Sequence, residues 1–253
     1  MPRIVIRGTV PVPHETLLRN MAHTKSLGLP KVALGQPLRH GRLAVVGGGP
    51  SVLSYLDQIR DCSEVWAING ACAMLREHGI DSFLFAIDPH PIVAKWAVGA
   101  SKAILCNRSD PEVFEILKGK DVRVYGLHND DPEDVIFTGS STATAAFHLG
   151  VESGFKEIDF FGCESSFEDS SHAYMDEKRE HLIWIECGGK EYKTAPDFYM
   201  QAQEMSAIIR TFPAHFRHFG GGLLQALIDC PEHDATHASR ALMDEFTPIC
   251  RSS

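Results

Sequence analysis

From Arg42 onward, short apolar runs alternate with longer amphipathic stretches. The runs at 43–46, 65–68, 83–87, 103–106, 122–125 and 158–161 are mostly Val, Ile, Leu, Phe and Ala. A strand with one wet face alternates apolar and polar residues, whereas a strand covered on both faces reads as a continuous apolar run. The runs therefore predict parallel strands, and the helix-length segments between them predict crossovers covering both faces. One of these, over 141–153, is built largely of small residues. Upstream, residues 1–41 read as a short strand at 4–6, a polar helix over His14–Ser26 and a Pro/Gly-punctuated linker. They form an arm packed on a main domain spanning 42–253. Downstream, 165–176 is a polar loop, and the segments 181–187 and Lys190–Thr194 flank Gly188-Gly189, a hairpin signal. A helix over Pro196–Thr211, a last strand over Phe216–Phe219, a helix from Leu223 and a surface helix over 234–245 complete the reading. The expected fold is α/β and Rossmann-like, a mostly parallel sheet with helices on both faces, an N-terminal arm and a small β-hairpin insertion.

Composition narrows the class of partner. The 253 residues carry a formal net charge of -9, which argues against non-specific nucleic-acid binding through a basic surface. An acidic protein that binds phosphate must use backbone N–H groups, helix N-termini or a metal. Seven cysteines, an odd number without C-x-x-C spacing, suggest neither a disulfide framework nor a zinc site. With no signal-peptide pattern and no apolar run of membrane-spanning length, a cytoplasmic location is expected.

Three constellations carry candidate chemistry. The run 43–46 ends in Gly47-Gly48-Gly49-Pro50-Ser51, followed by a helix expected to reach Ile59. Glycines allow close backbone approach, and a helix N-terminus favours anions. The plain alternative is a tight turn that binds nothing. Thr138-Gly139-Ser140-Ser141-Thr142 opens the small-residue helix, where hydroxyls serve either as caps or as an anion site. Glu164 follows the run 158–161, and Asn69 and Asp88 hold the equivalent place after two others. Strand carboxyl ends are where open α/β sheets bind ligands, although each residue could equally be a solvated loop side chain. Among the histidines, His172 in the polar loop is the first candidate for a general acid or base, and His90 the second. His215 and His218, spaced i,i+3, and His233 and His237, spaced i,i+4, read as solvated helix faces.

The order of these motifs resembles the 6-hydroxymethylpterin diphosphokinase MptE-like family, shared with motility accessory factor glycosyltransferases. The residues carrying the resemblance are Val45-Val46-Gly47-Gly48-Gly49-Pro50-Ser51, Asn69-Gly70-Ala71, Asp88, Gly139-Ser140-Ser141 and Phe161-Gly162-Cys163-Glu164. The resemblance implies a fold related to sialyltransferases that use CMP-sugars. It places Gly48, Gly49 and Ser51 near a phosphate, Ser140 and Ser141 near the phosphate or a sugar carboxylate, and Glu164 near a ribose, with Asn69 close by. Two departures stand out. The pterin diphosphokinases carry an Asp-rich T-D-L-D-G where this chain has Ala86-Ile87-Asp88-Pro89-His90. The sialyltransferases carry a catalytic His where this chain reads Lys190-Glu191-Tyr192-Lys193-Thr194.

The resulting expectation is a nucleotide-binding transferase using a nucleotide-activated sugar, with Gly47, Gly48, Gly49, Ser51, Asn69, Ser140, Ser141 and Glu164 binding the ligand. His172 and Asp88 would handle protons. The alternatives are an ATP-dependent diphosphokinase with Mg²⁺ on Asp88 and a non-catalytic nucleotide-binding module.

Overall fold

The computed structural model describes residues 12–127, 139–167 and 182–230. The expected strand at 4–6, the tail helix, Thr138, His172, His233 and His237 lie outside the described residues.

Nine strands are described: β1 (Arg39–Val46), β2 (Glu64–Ile68), β3 (Phe83–Ala86), β4 (Lys102–Cys106), β5 (Asp121–Tyr125), β6 (Phe155–Phe161), β7 (Ile183–Cys187), β8 (Lys190–Thr194) and β9 (Phe216–Phe219). The helices are α1 (His14–Ser26), α2 (Leu56–Arg60), α3 (Ala71–Glu77), α4 (Val93–Ala97), α5 (Pro111–Ile116), α6 (Thr142–Glu152), α7 (Pro196–Thr211) and α8 (Gly222–Asp229). Between Gly49 and α2 the chain forms a 3-10 turn over Pro50–Tyr55, where the sequence suggested one continuous α-helix. Pro50 fixes the first residue of this turn and supplies no N–H.

Seven strands form one sheet in the order β5-β4-β3-β2-β1-β6-β9, and every pairing within it is parallel. Its apolar runs are continuous because both faces are buried. In β1, Leu43 and Val45 enter one core while Ala44 and Val46 enter the other, all with 0% exposure. Phe83 and Phe85 of β3 face the first core, and Leu84 and Ala86 the second. Helices α6, α7 and α8 cover the first face; α2 to α5 cover the second. Strands β1 to β5 step outward in one direction, whereas β6 returns to the other flank of β1. The direction of winding thus reverses between β1 and β6, where sheets of this kind open a crevice at their carboxyl edge.

The arm reaches across the second face and the far edge. Asn20 of α1 is fully buried and donates to the Arg108 carbonyl at 3.0 Å. The Val32 N–H donates to the Val124 carbonyl, so this stretch occupies the hydrogen-bonding edge of β5. Strands β7 and β8 form a separate antiparallel hairpin, and Gly188 and Gly189 take the two positive φ values its tight turn needs.

Candidate functional site at the strand ends

Three strand ends interlock at the winding reversal. The Gly47 N–H donates to the Phe161 carbonyl and the Gly49 N–H to the Gly162 carbonyl, both at 2.8 Å. The Ser51 N–H donates to Glu164 Oε1 at 3.0 Å. From the other side, the Leu224 N–H donates to the Glu164 carbonyl at 3.0 Å, and the Leu223 N–H to Ser166 Oγ at 3.1 Å. Glu164 is therefore seated between the β1 turn and the start of α8, with 7% of its surface exposed. Gly49 has an ordinary φ of -65°, but no side chain fits there: a Cβ would fall 1.4 Å from Glu164 Oε2.

Four polar atoms at this edge are buried and have no hydrogen-bond partner: Ser51 Oγ, Asn69 Oδ1, Glu164 Oε2 and His218 Nε2. Each such atom costs ~1–3 kcal/mol unless something supplies a partner. Three of these side chains converge. A Cβ placed on Gly220 would lie 2.7 Å from Ser51 Oγ, 3.5 Å from Glu164 Oε1 and 3.5 Å from His218 Cε1. Asn69 stands at the neighbouring end of β2 with a φ of +52°, a conformation rare for a residue with a side chain and common at ligand sites. Ser165, at +58°, is held by Gln201, whose Nε2 donates to Ser165 Oγ at 2.9 Å. Burial pushes the Cys163 thiol up to about 12, so the thiol beside Glu164 stays protonated.

The second anticipated anion position is already satisfied by protein. The Ser140 N–H and hydroxyl both donate to Glu204 Oε2 on α7, at 2.9 and 2.8 Å. Ser141 and Thr144 cap the start of α6 reciprocally, each side chain accepting from the other's backbone N–H. A carboxylate oxygen thus occupies a donor position at both the Ser51 turn and the α6 start.

Asp88 lies at the same edge, but β3 and β6 are separated by three strand spacings, ~14 Å across the sheet. Its Oδ1 accepts the His90 N–H at 2.8 Å, closing a turn over Pro89. Among the described residues no group of three His, Cys, Asp or Glu side chains gathers to hold a cation. Mg²⁺ at Asp88 would therefore need substrate phosphate oxygens and water for its remaining ligands.

His218 is a correction to the sequence reading. It sits on strand β9, not on a solvated helix face, and its Nε2 is sealed from solvent. The i,i+3 spacing with His215 reads as a helix, but the chain over Phe216–Phe219 is extended and pairs in parallel with β6, which puts His218 opposite Phe160.

The fold and these strand ends define a doubly wound, Rossmann-like α/β protein with a cluster of buried polar groups at the winding reversal. The chain belongs to the MptE-like family: the model of the 6-hydroxymethylpterin diphosphokinase MptE-like family matches residues 15–170. Among solved structures, the MAf glycosyltransferase from Magnetospirillum magneticum AMB-1 is similar, with a TM-score of 0.61 at 17% identity. The match covers 95% of this chain and 42% of that one, so the chain spans less than half of that protein's length. No curated protein matches the sequence. No helix among the described residues is long and apolar enough to cross a membrane.

Proposed function

We infer that the protein is a transferase that binds a nucleotide-activated donor, a sugar of the CMP-sugar kind, at the carboxyl ends of β1, β6 and β9 and passes its glycosyl group to an acceptor. At the coarse level the comparisons agree, since the family is named for a diphosphokinase and the similar solved structure is of a glycosyltransferase, both transferases. The observation that carries the reading is the convergence beside Gly220 of three side chains, Ser51, Glu164 and His218, each carrying a buried partnerless atom whose desolvation cost a ligand would remove. The donor phosphate would lie between the Ser51 turn and the α6 start. There it would compete with Glu164 and Glu204 for the N–H groups of Ser51 and Ser140. In a pocket screened from water, fixed donors at a leaving phosphate supply transition-state stabilisation.

The family name favours a second reading, an ATP-dependent diphosphokinase with Mg²⁺ between Asp88 and the substrate phosphates. A thermal-shift panel of CMP, UDP, GDP and ATP, each with and without Mg²⁺, separates the two. A ligand at 100 times its Kd adds ~2.7 kcal/mol of stability. Stabilisation by CMP without metal supports the glycosyl reading, and stabilisation by ATP only with Mg²⁺ supports the diphosphokinase. No shift with any of the four overturns the nucleotide reading.

A further inference from the structure

The partnerless atoms differ in what they require of a ligand. Asn69 Oδ1 and an ionised Glu164 Oε2 can only accept a hydrogen bond. His218 Nε2 could in principle donate or accept, but its neighbours decide. Gln225 Nε2 donates to Asp229 Oδ1 at 3.0 Å, which turns Gln225 Oε1 toward His218 Nδ1 at 3.3 Å. A carbonyl oxygen only accepts, so the proton of the neutral ring sits on Nδ1 and Nε2 keeps its lone pair. The site thus presents three acceptors beside the Ser51 hydroxyl, which can also donate, and the segments 47–51, 162–166 and 218–222 contain no Lys or Arg. An ionised phosphate offers no donors to these acceptors, so the donor phosphate of the proposed function would take the N–H groups of Ser51 and Ser140 and not the place beside His218 Nε2. A group bearing several hydroxyls matches.

We propose that His218 is a specificity-determining residue, accepting a hydrogen bond through Nε2 from a hydroxyl of a sugar-like group bound beside Ser51 and Glu164. The inference rests on reading the strand ends as a ligand site and adds the chemistry which that pocket selects. Gln225 is the positioning residue that fixes the tautomer. Burial holds the His218 ring down at about 4, so at neutral pH it carries no charge. A base that weak is poorly matched to proton abstraction near pH 7, and recognition is the role left to it.

The test uses the full chain with ¹⁵N-labelled histidine and long-range ¹H–¹⁵N correlation spectra. In the free protein His218 is expected with Nδ1 protonated and Nε2 bare. D-ribose 5-phosphate, CMP and UDP-glucose are the hydroxyl-bearing probes; inorganic phosphate and 2′,3′-dideoxy-CMP are the controls. At least one hydroxyl-bearing probe should move the Nε2 resonance while neither control does. His218→Phe should then weaken that probe about two- to tenfold, the worth of one hydrogen bond. Gln225→Leu should spread the proton over both ring nitrogens, a spectroscopic change available even if His218→Phe folds poorly. A protonated Nε2 in the free protein, no response to any hydroxyl-bearing probe, or an equal response to the controls overturns the proposal. A response to ribose 5-phosphate with none to either nucleotide upholds it and overturns the nucleotide reading instead.

Discussion

Single residues at the strand ends are packed tightly or held in rare backbone conformations, and these make sharp predictions. At Gly49 the backbone is relaxed but the space is taken by the Glu164 carboxylate and, 2.8 Å from a would-be Cβ, the Gly162 carbonyl. Gly49→Ala should therefore destabilise the fold by ~1–3 kcal/mol in urea unfolding, through overpacking. Combined with Glu164→Ala, its cost should be less than additive, because one of the two obstacles is gone. Asn69 presents the opposite case. Glycine adopts its positive φ without strain, so Asn69→Gly should leave stability unchanged or raise it by ~1 kcal/mol while weakening ligand binding. A loss of both stability and binding would show that Asn69 serves the fold. Burial also lowers His218 and His148 from 6.5 to about 4. The unfolded chain takes up these protons below about pH 6.5 and the folded chain only near 4. Stability is thus complete above that window and is lost as the pH falls through it, by ~3 kcal/mol per ring at most. Urea midpoints measured from pH 7 to pH 4 should show this slope, and His218→Phe should remove about half of it.

At the level of elements, the same residue types perform work that sequence alone does not separate. The hydroxyl cluster at 140–144 was legible as a helix start but not as a particular kind of one. Ser141 closes a reciprocal cap with Thr144, and Ser140 is committed to Glu204, a partner 64 positions away. Ser141→Ala should cost ~0.5–2 kcal/mol of stability, as lost caps do, and change ligand affinity little. A large affinity loss without a stability loss would return Ser141 to the ligand. Below the site, Asp159 of β6 is 2% exposed and receives hydrogen bonds from Arg42 of β1 and Arg217 of β9. It ties β1, β6 and β9, the three strands that bring Ser51, Glu164 and His218 together. Asp159→Asn should lower stability by ~1.5–3 kcal/mol, the range for hydrogen bonds to charged groups, read as a shift in thermal midpoint. The hairpin and the strands were legible because glycine pairs and two-sided burial leave local marks. The 3-10 turn after Gly49 was not, since a short apolar and polar stretch behind a proline reads the same for either helix type.

For the whole molecule, the sequence by itself determined the layers. Continuous apolar runs require two covered faces, and the helices between them require parallel crossovers, so the α/β class, the interior strands and the glycine-rich strand ends followed from local pattern. Strand order is set by long-range packing, and only the tertiary structure decided it. By placing β6 beside β1 and β9 beyond it, the sheet put Glu164, Ser51 and His218 on one point and left Asp88 about 14 Å to one side. The sequence marked Glu164, Ser51 and Asn69 as polar residues at strand ends, because such positions recur in a readable form. It could not mark His218 as their companion, since no local signal says which strand ends become neighbours. Nor could it show that backbone N–H groups expected to hold a ligand anion are already engaged by Glu164 and Glu204. Those bonds join residues 113 and 64 positions apart, and they exist only because packing the two cores brings the Glu164 and Glu204 carboxylates within reach of the Ser51 and Ser140 N–H groups.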